Sequence, residues 1–127
     1  VRFSAFVAHA GIFDQEHMYM STEELWFPNF DNGGAPWDNN PVANRHYANS
    51  PHKLVKNWNT PILITAGEMD FRVPYDQAMA AFTAAQVLKV PSKLVLFPDE
   101  NHWILKPQNS ILWNRIYFDW LDKYLKN

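Results

Sequence analysis

Short apolar stretches alternate with helix-like stretches along much of this chain. Residues 3–10, 61–65 and 92–97 are apolar runs, and we predict a buried strand at each of them. Residues 74–87 and 108–126 carry apolar side chains at helical spacing, and a proline opens the first of the two. Strands that alternate with helices require crossover connections, so we predict an α/β fold with parallel sheet strands flanked by helices.

The segment between the first two predicted strands has a different character. Residues 26–50 are rich in Pro, Asn, Asp and Gly, with turn signals at Gly33-Gly34 and Asn40-Pro41, so we predict a long loop. Its aromatic side chains favour a packed loop: Trp26, Phe27, Phe30 and Trp37. One or two helical turns are predicted within residues 16–25. Ser50 is expected to cap a short helix that ends near residue 56.

Composition and charge narrow the class of partner. The 127 residues suffice for one domain, and the net charge of −2 with scattered Lys and Arg provides no basic surface for nucleic acid or an anionic membrane. No apolar run reaches the roughly 18 residues of a transmembrane helix. The chain has no Cys, which excludes disulfides and thiolate metal sites. We expect no cofactor, no metal, no nucleic acid and no membrane partner.

Two chemically useful side chains follow successive predicted strands. Asp70 comes after residues 61–65 and His102 after residues 92–97, 32 residues further on. Because the carboxyl ends of parallel strands meet at one edge of a sheet, we expect the two side chains to lie together there. A histidine held by a buried carboxylate can act as general base toward a serine, and Asp before His is the α/β-hydrolase order. The alternatives are a helix cap for Asp70 and a surface imidazole for His102.

Wider motifs surround both residues. Residues 67–77 match the pattern G-x-x-D-x-x-V-P-x-x-Q, and residues 99–102 match D-E-x-H. With the opening FVAHAGIFD at 6–14, they resemble the C-terminal part of the prolyl oligopeptidase family of serine peptidases, closest to its dipeptidyl-peptidase and acylaminoacyl-peptidase branch. The resemblance implies that residues 1–127 are the C-terminal half of an α/β-hydrolase domain. The nucleophile-bearing half and the N-terminal propeller are expected to lie upstream.

The resemblance implies cleavage of short peptides through an acyl-enzyme, with Asp70 orienting His102 and His102 carrying the proton. It also implies a pocket for the residue before the scissile bond. The side chains expected to line this pocket are Ile12, Phe13, Met18 and Tyr19, with Val73 closing the other side. Arg72 is expected to approach the substrate backbone. An ordinary core role is the alternative for each of these residues.

The sequence departs from the family in one respect. None of its serines lies in the G-x-S-x-G pattern that presents the nucleophile. We therefore expect the isolated chain to be inactive, and to self-associate through an exposed strand edge and apolar faces when the upstream half is missing. The compartment stays open between cytoplasm and periplasm. Two other functions also remain open: an esterase or acyl hydrolase of the same fold, and a non-catalytic assembly or binding module.

The remaining histidines and acids carry weaker signals. His9 lies in a predicted strand and is expected to be a core or loop-facing imidazole. Asp14, Glu16 and His17 are close in sequence but are expected to meet water rather than a metal. His46 and His52 have no ligand partner at helical spacing.

Overall fold

The fold is built on three parallel strands. A computed structural model describes residues 2–126, in which β1 (Phe6–His9), β2 (Ile62–Gly67) and β3 (Ser92–Phe97) pair in the order β1-β2-β3. The central strand, β2, is buried along nearly its whole length, as expected for a strand covered on both faces. The prediction of an α/β fold with a parallel sheet is confirmed.

One face of the sheet is covered by α4 (Asp76–Val87). Its buried Ala78 and Ala81 pack against Ile64 of β2, and these small side chains allow the helix axis to approach the sheet closely. The helix begins two residues after the predicted start at Pro74. The helical spacing predicts an apolar stripe of Ala78, Ala81, Phe82 and Ala85; the three alanines are buried, whereas Phe82 packs at the margin of the core and is only partly buried.

The opposite face is covered by α5 (Pro107–Leu125). Side chains alternate along a strand, so Thr65, which follows Ile64, points away from α4. The indole N–H of Trp113 in α5 donates to the hydroxyl of Thr65 at 3.1 Å. Trp120 is the buried residue of α5, and its N–H donates to the carbonyl of Phe6 at 3.1 Å. The helical spacing of residues 108–126 predicts that Leu112 shares the buried face with Trp120, but Leu112 is exposed.

The prediction of one long loop over residues 26–50 is wrong. The segment contains α2 (Trp26–Asp31) and α3 (Pro41–Ala48). The side-chain oxygen of Asn40 accepts hydrogen bonds from two backbone N–H groups of the first turn of α3, and Pro41 occupies its first position. The pair that resembled a turn signal therefore starts a helix. At Gly33-Gly34, where a turn is predicted, the chain bends with positive φ at both residues, and the turn itself follows at residues 36–37.

The aromatic side chains of this segment do not form its core, contrary to expectation. Trp26, Phe30 and Trp37 are largely exposed, and Phe27 is more than a third exposed. The burial is provided by smaller residues and two tyrosines, because the inner face of α3 packs against Tyr19 and Ala35. The members of this cluster are Tyr19, Ala35, Ala43 and Tyr47.

Two further helical segments flank this region. The predicted turns near residue 16 form α1 (Gln15–Ser21), capped by Asp14, whose carboxylate accepts from the N–H groups of the first turn. Ser50 precedes a 3₁₀ helix (Pro51–Asn57) but does not cap it. Its hydroxyl instead accepts from the N–H of Gln15 at 2.9 Å, which ties the two segments together.

Apolar side chains are exposed near the β1 edge of the sheet and along α5. Within residues 2–126, β1 pairs with β2 alone. Large apolar side chains are exposed nearby and along α5: Phe3, Phe6, Ile111, Leu112, Phe118 and Leu125. In the same part of the chain, no helix has the length and hydropathy needed to cross a bilayer.

Candidate active site

Asp70 and His102 lie in contact at the carboxyl edge of the sheet. β2 and β3 are neighbours, as predicted, and each residue lies in the loop that follows one of these strands. Nδ1 of His102 lies 2.8 Å from Oδ2 of Asp70. The Asp70 side chain is fully buried, whereas that of His102 remains about one quarter exposed (26%). The pair therefore joins a carboxylate removed from water to an imidazole that is accessible from solvent.

The second carboxylate oxygen of Asp70 is held by the backbone. Oδ1 accepts hydrogen bonds from the N–H groups of Arg72, at 3.0 Å, and Val73, at 2.9 Å. A side chain that bonds the backbone two and three residues ahead forms a local turn and fixes its own rotamer. Oδ2 is consequently aimed at His102 by the fold of its own loop.

The loop that carries His102 is closed by Glu100. This buried carboxylate accepts from the N–H groups of Leu105 and Lys106, both at 3.0 Å, and from the Asn109 side chain at 2.8 Å. Burial acts to raise the pKa of Glu100, but these hydrogen bonds outweigh that effect and hold the pKa below its ordinary value. The sequence motif D-E-x-H thus contains a loop-closing acid next to the histidine.

Gly67 allows the two loops to approach each other. A Cβ at this position would collide with the carbonyl oxygens of Glu100 and Asn101. With only a hydrogen there, the N–H of Met69 reaches the carbonyl of Glu100 at 2.9 Å. The glycine three residues before Asp70 is therefore a steric requirement of the Asp–His contact.

A cavity of about 270 Å³ opens beside His102. It is lined by four of the six residues predicted to bind substrate, Ile12, Met18, Arg72 and Val73, together with His102 itself. Its other lining residues come mainly from α1, α2 and the segment between them: Gln15, Thr22, Glu24, Phe27, Pro28, Asp31 and Asn32. An apolar cavity with a few polar groups beside a titratable side chain is typical of a binding site for a small ligand.

Phe13 and Tyr19, also predicted to line the pocket, do not do so. Phe13 lies in the core and contacts Trp58 edge-on, while the amide oxygen of Gln77 accepts from its N–H at 3.0 Å. Tyr19 follows Met18 in α1, and successive helical residues point about 100° apart, so only one of the two can face the cavity. The structure gives both residues the core role that was the alternative.

Glu24 is a site residue that the sequence did not indicate. Its carboxylate pairs with the Arg72 guanidinium through two contacts, at 2.9 Å to Nη2 and 2.6 Å to Nε. The guanidinium also lies over the Trp103 ring, 5.1 Å from its centroid. Because Glu24 lies 48 residues before Arg72, no local pattern could have joined them.

The other acids and histidines form no metal centre. Within the described residues, no group of three possible ligands comes together. Asp14 serves as the cap of α1, and His17 contacts Gln77 and Asp76 instead of further metal-binding side chains.

The family model of the prolyl oligopeptidase family matches residues 1–127. The chain belongs to the prolyl oligopeptidase family. It is 59% identical to dipeptidyl-peptidase 5 of Porphyromonas gingivalis and 55% identical to that of Porphyromonas endodontalis, each over 126 residues. These matches cover 98% of this chain but only 18% of each relative's length.

A solved structure shares the fold of this family member. Acylaminoacyl peptidase of Pyrococcus horikoshii superposes with a TM-score of 0.83 at 22% identity, covering 98% of this chain and 21% of that one. This likeness supports the α/β-hydrolase fold of the peptidases for the three strands and their helices.

Replacing Gly67 with Ala should destabilise the intact protein that carries this chain. The added methyl would force apart the loops of Asp70 and His102, and overpacking of this kind costs typically about 1–3 kcal/mol. Thermal unfolding of the intact protein should report the loss. Gly11→Ala is the matched control, since its Cβ would meet only Ala8, at an ordinary 3.6 Å. Equal melting temperatures for the two variants would contradict the steric role.

Glu100→Gln should lower the melting temperature at pH 7, because an amide cannot accept from all three donors. The pKa of Glu100 is lower in the folded state, so its contribution is fully present above the unfolded value of about 4.3. It is lost as the pH falls through the folded value. The difference in melting temperature between the wild type and Glu100→Gln should therefore shrink as the pH falls below about 4. The exposed Glu23→Gln serves as control, and a difference that does not depend on pH would refute the assignment.

Proposed function

We propose that the intact protein is a serine peptidase of the dipeptidyl-peptidase type, in which this chain provides the acid–base part of the catalytic machinery. The observation that carries the proposal is the 2.8 Å contact between His102 and the buried carboxylate of Asp70, beside an apolar cavity. The release of dipeptides from a peptide substrate is inferred from the name of the relatives at 55–59% identity, dipeptidyl-peptidase 5.

The proton path follows from the hydrogen bonds. Nδ1–H of His102 donates to Asp70, so Nε2 carries the lone pair that takes the proton from a serine hydroxyl as the serine oxygen attacks the peptide carbonyl. The carboxylate stabilises the imidazolium that results. His102 then gives this proton to the leaving amine as the C–N bond breaks. Water repeats the sequence on the acyl-enzyme and regenerates the serine.

The serine itself is proposed to come from a part of the protein outside this chain. None of the five serines in the sequence lies in G-x-S-x-G. The unpaired side of β1 and the exposed apolar residues of α5 provide surface against which further strands and helices can pack. We accordingly interpret residues 1–127 as the C-terminal half of a larger peptidase domain, inactive on its own and prone to self-associate.

Substrate contacts are proposed for the cavity. Ile12, Met18 and Val73 provide apolar walls for the residue before the scissile bond. Glu24 engages Nε and Nη2 of Arg72, which leaves Nη1 to donate to a substrate carbonyl. A short peptide would thus be held by its backbone at Arg72 and by one side chain in the cavity.

Asp70→Asn and His102→Ala in the intact protein should each lower kcat for a dipeptidyl amide by about 10⁴-fold. Asparagine can still accept from the backbone, but its NH₂ group would face Nδ1 and select the wrong imidazole tautomer. Asp122→Asn, an exposed position near the C-terminal end of α5, should leave kcat unchanged.

Two outcomes of that assay would overturn the proposal. Turnover of short acyl esters without turnover of dipeptidyl amides would identify an acyl hydrolase of the same fold. Failure of the intact protein to react with a fluorophosphonate probe would identify a non-catalytic module.

Ile12→Trp should change selectivity, because the indole would occupy part of the cavity. For substrates with a large apolar residue before the scissile bond, kcat/KM should fall about 10- to 100-fold, while substrates with Ala there should be little affected. Val87→Trp is the same kind of enlargement at an exposed position of α4 and serves as control. A uniform loss over all substrates would place this cavity outside the specificity site.

A further inference from the structure

A chain of hydrogen bonds lies behind His102 that the proposed chemistry does not use. The indole N–H of Trp113 donates to the Thr65 hydroxyl oxygen at 3.1 Å. The same oxygen lies 2.8 Å from Nδ1 of His9. Nε2 of His9 lies 3.1 Å from the backbone carbonyl oxygen of His102. This series of hydrogen bonds therefore runs from α5 through β2 and β1 to the backbone of His102.

Only one arrangement of protons satisfies every member of this chain when His9 is neutral. A carbonyl can only accept, so Nε2 of His9 must carry the proton and donate it to His102. Nδ1 is then an acceptor, and the Thr65 O–H donates to it. The Thr65 oxygen in turn accepts from Trp113, whose N–H can only donate. The His102 carbonyl thus requires the Nε2–H tautomer of His9, and the Thr65 hydroxyl supports it by donating to Nδ1.

The surroundings of His9 favour its neutral form. Burial lowers the pKa of His9 below its ordinary value, against the opposing effect of the hydrogen bond to the His102 carbonyl. The ring also lies edge-on to Trp113, with centroids 5.8 Å apart, and Thr65 is almost fully buried. Each member of the chain is therefore restrained by packing as well as by its hydrogen bonds.

His102 is consequently held at two points. Asp70 holds its ring through Nδ1, and His9 holds its main chain through the carbonyl oxygen. The ring contact alone fixes one atom of the imidazole, and the position of Nε2 also depends on the location of the backbone. A displacement of about 1 Å at a catalytic group can cost on the order of 10²-fold in rate.

We propose that His9 is a positioning residue for the general base, and that the Thr65 hydroxyl and the Trp113 indole keep it in the tautomer that anchors the main chain of His102. The inference rests on the proposed peptidase function. It concerns alignment of His102 and assigns no proton transfer to His9 itself.

The decisive comparison is between Thr65→Val and Thr65→Ser in the intact protein. Valine keeps the shape of threonine but removes the hydroxyl, so Nδ1 of His9 loses the donor that supports its Nε2–H tautomer. We expect kcat for a dipeptidyl amide to fall about tenfold with KM unchanged, and the rate of fluorophosphonate labelling to fall in parallel. Serine keeps the hydroxyl and should retain kcat within about twofold.

Three results would separate the possible failures. A wild-type kcat for Thr65→Val would overturn the positioning role. Equal losses for valine and serine would also overturn it, because packing rather than the hydroxyl would then be responsible. An intact wild-type protein that cleaves no dipeptidyl amide would instead refute the proposed function on which the inference rests.

A second pair covers the case in which Thr65→Val does not fold. His9→Gln retains an N–H that can reach the His102 carbonyl, whereas His9→Leu has no donor. The glutamine variant should keep a larger kcat than the leucine variant at equal KM. Equal values of kcat would contradict the proposal.

Discussion

The carboxylate of Asp70 is withdrawn from water, and a charge in that position must be met by hydrogen-bond donors or a cation. Two donors come from its own loop and the third from His102, whose strand runs beside that of Asp70. The third hydrogen bond depends on the parallel pairing of β2 with β3 and on the close approach of the two loops at Gly67. The hydrogen bonds that satisfy the buried carboxylate are therefore the same ones that would orient His102 in the proposed chemistry.

The cavity beside His102 depends on a different part of the chain. Its walls come from the loop after β1, from α1 and from α2, while its charged side is the Glu24–Arg72 pair. An arginine held by a carboxylate and an aromatic face has little rotational freedom, so it can present its remaining donor at a defined place. The Asp70–His102 contact and the walls of the cavity thus lie on separate segments that meet at His102.

The sequence was informative where one signal had one meaning. The apolar run at residues 92–97 predicts β3 with the observed bounds. Because the carboxyl ends of parallel strands meet at one edge of the sheet, the sequence also predicts that Asp70 lies next to His102, as observed. It failed where a signal was ambiguous, since Asn40-Pro41 suits both a turn and a helix start. It also failed where the partner of a residue is distant in sequence. Gln77 holds the backbone at Phe13, and Glu24 pairs with Arg72. The contacts of His9 involve β1, β2, α5 and the loop of His102, which come together only in the folded chain.

The short sequence separation between Asp70 and His102 affects how their contact forms during folding. Asp70 and His102 are separated by 32 residues that form one strand–helix–strand crossover, with α4 between β2 and β3. Closing a loop of this length carries a modest entropic penalty, which grows only slowly with the number of residues. The acid–base pair is thus encoded by a short, local folding unit. A serine from outside this chain, as proposed above, would reach this pair only through contacts between residues much farther apart in sequence.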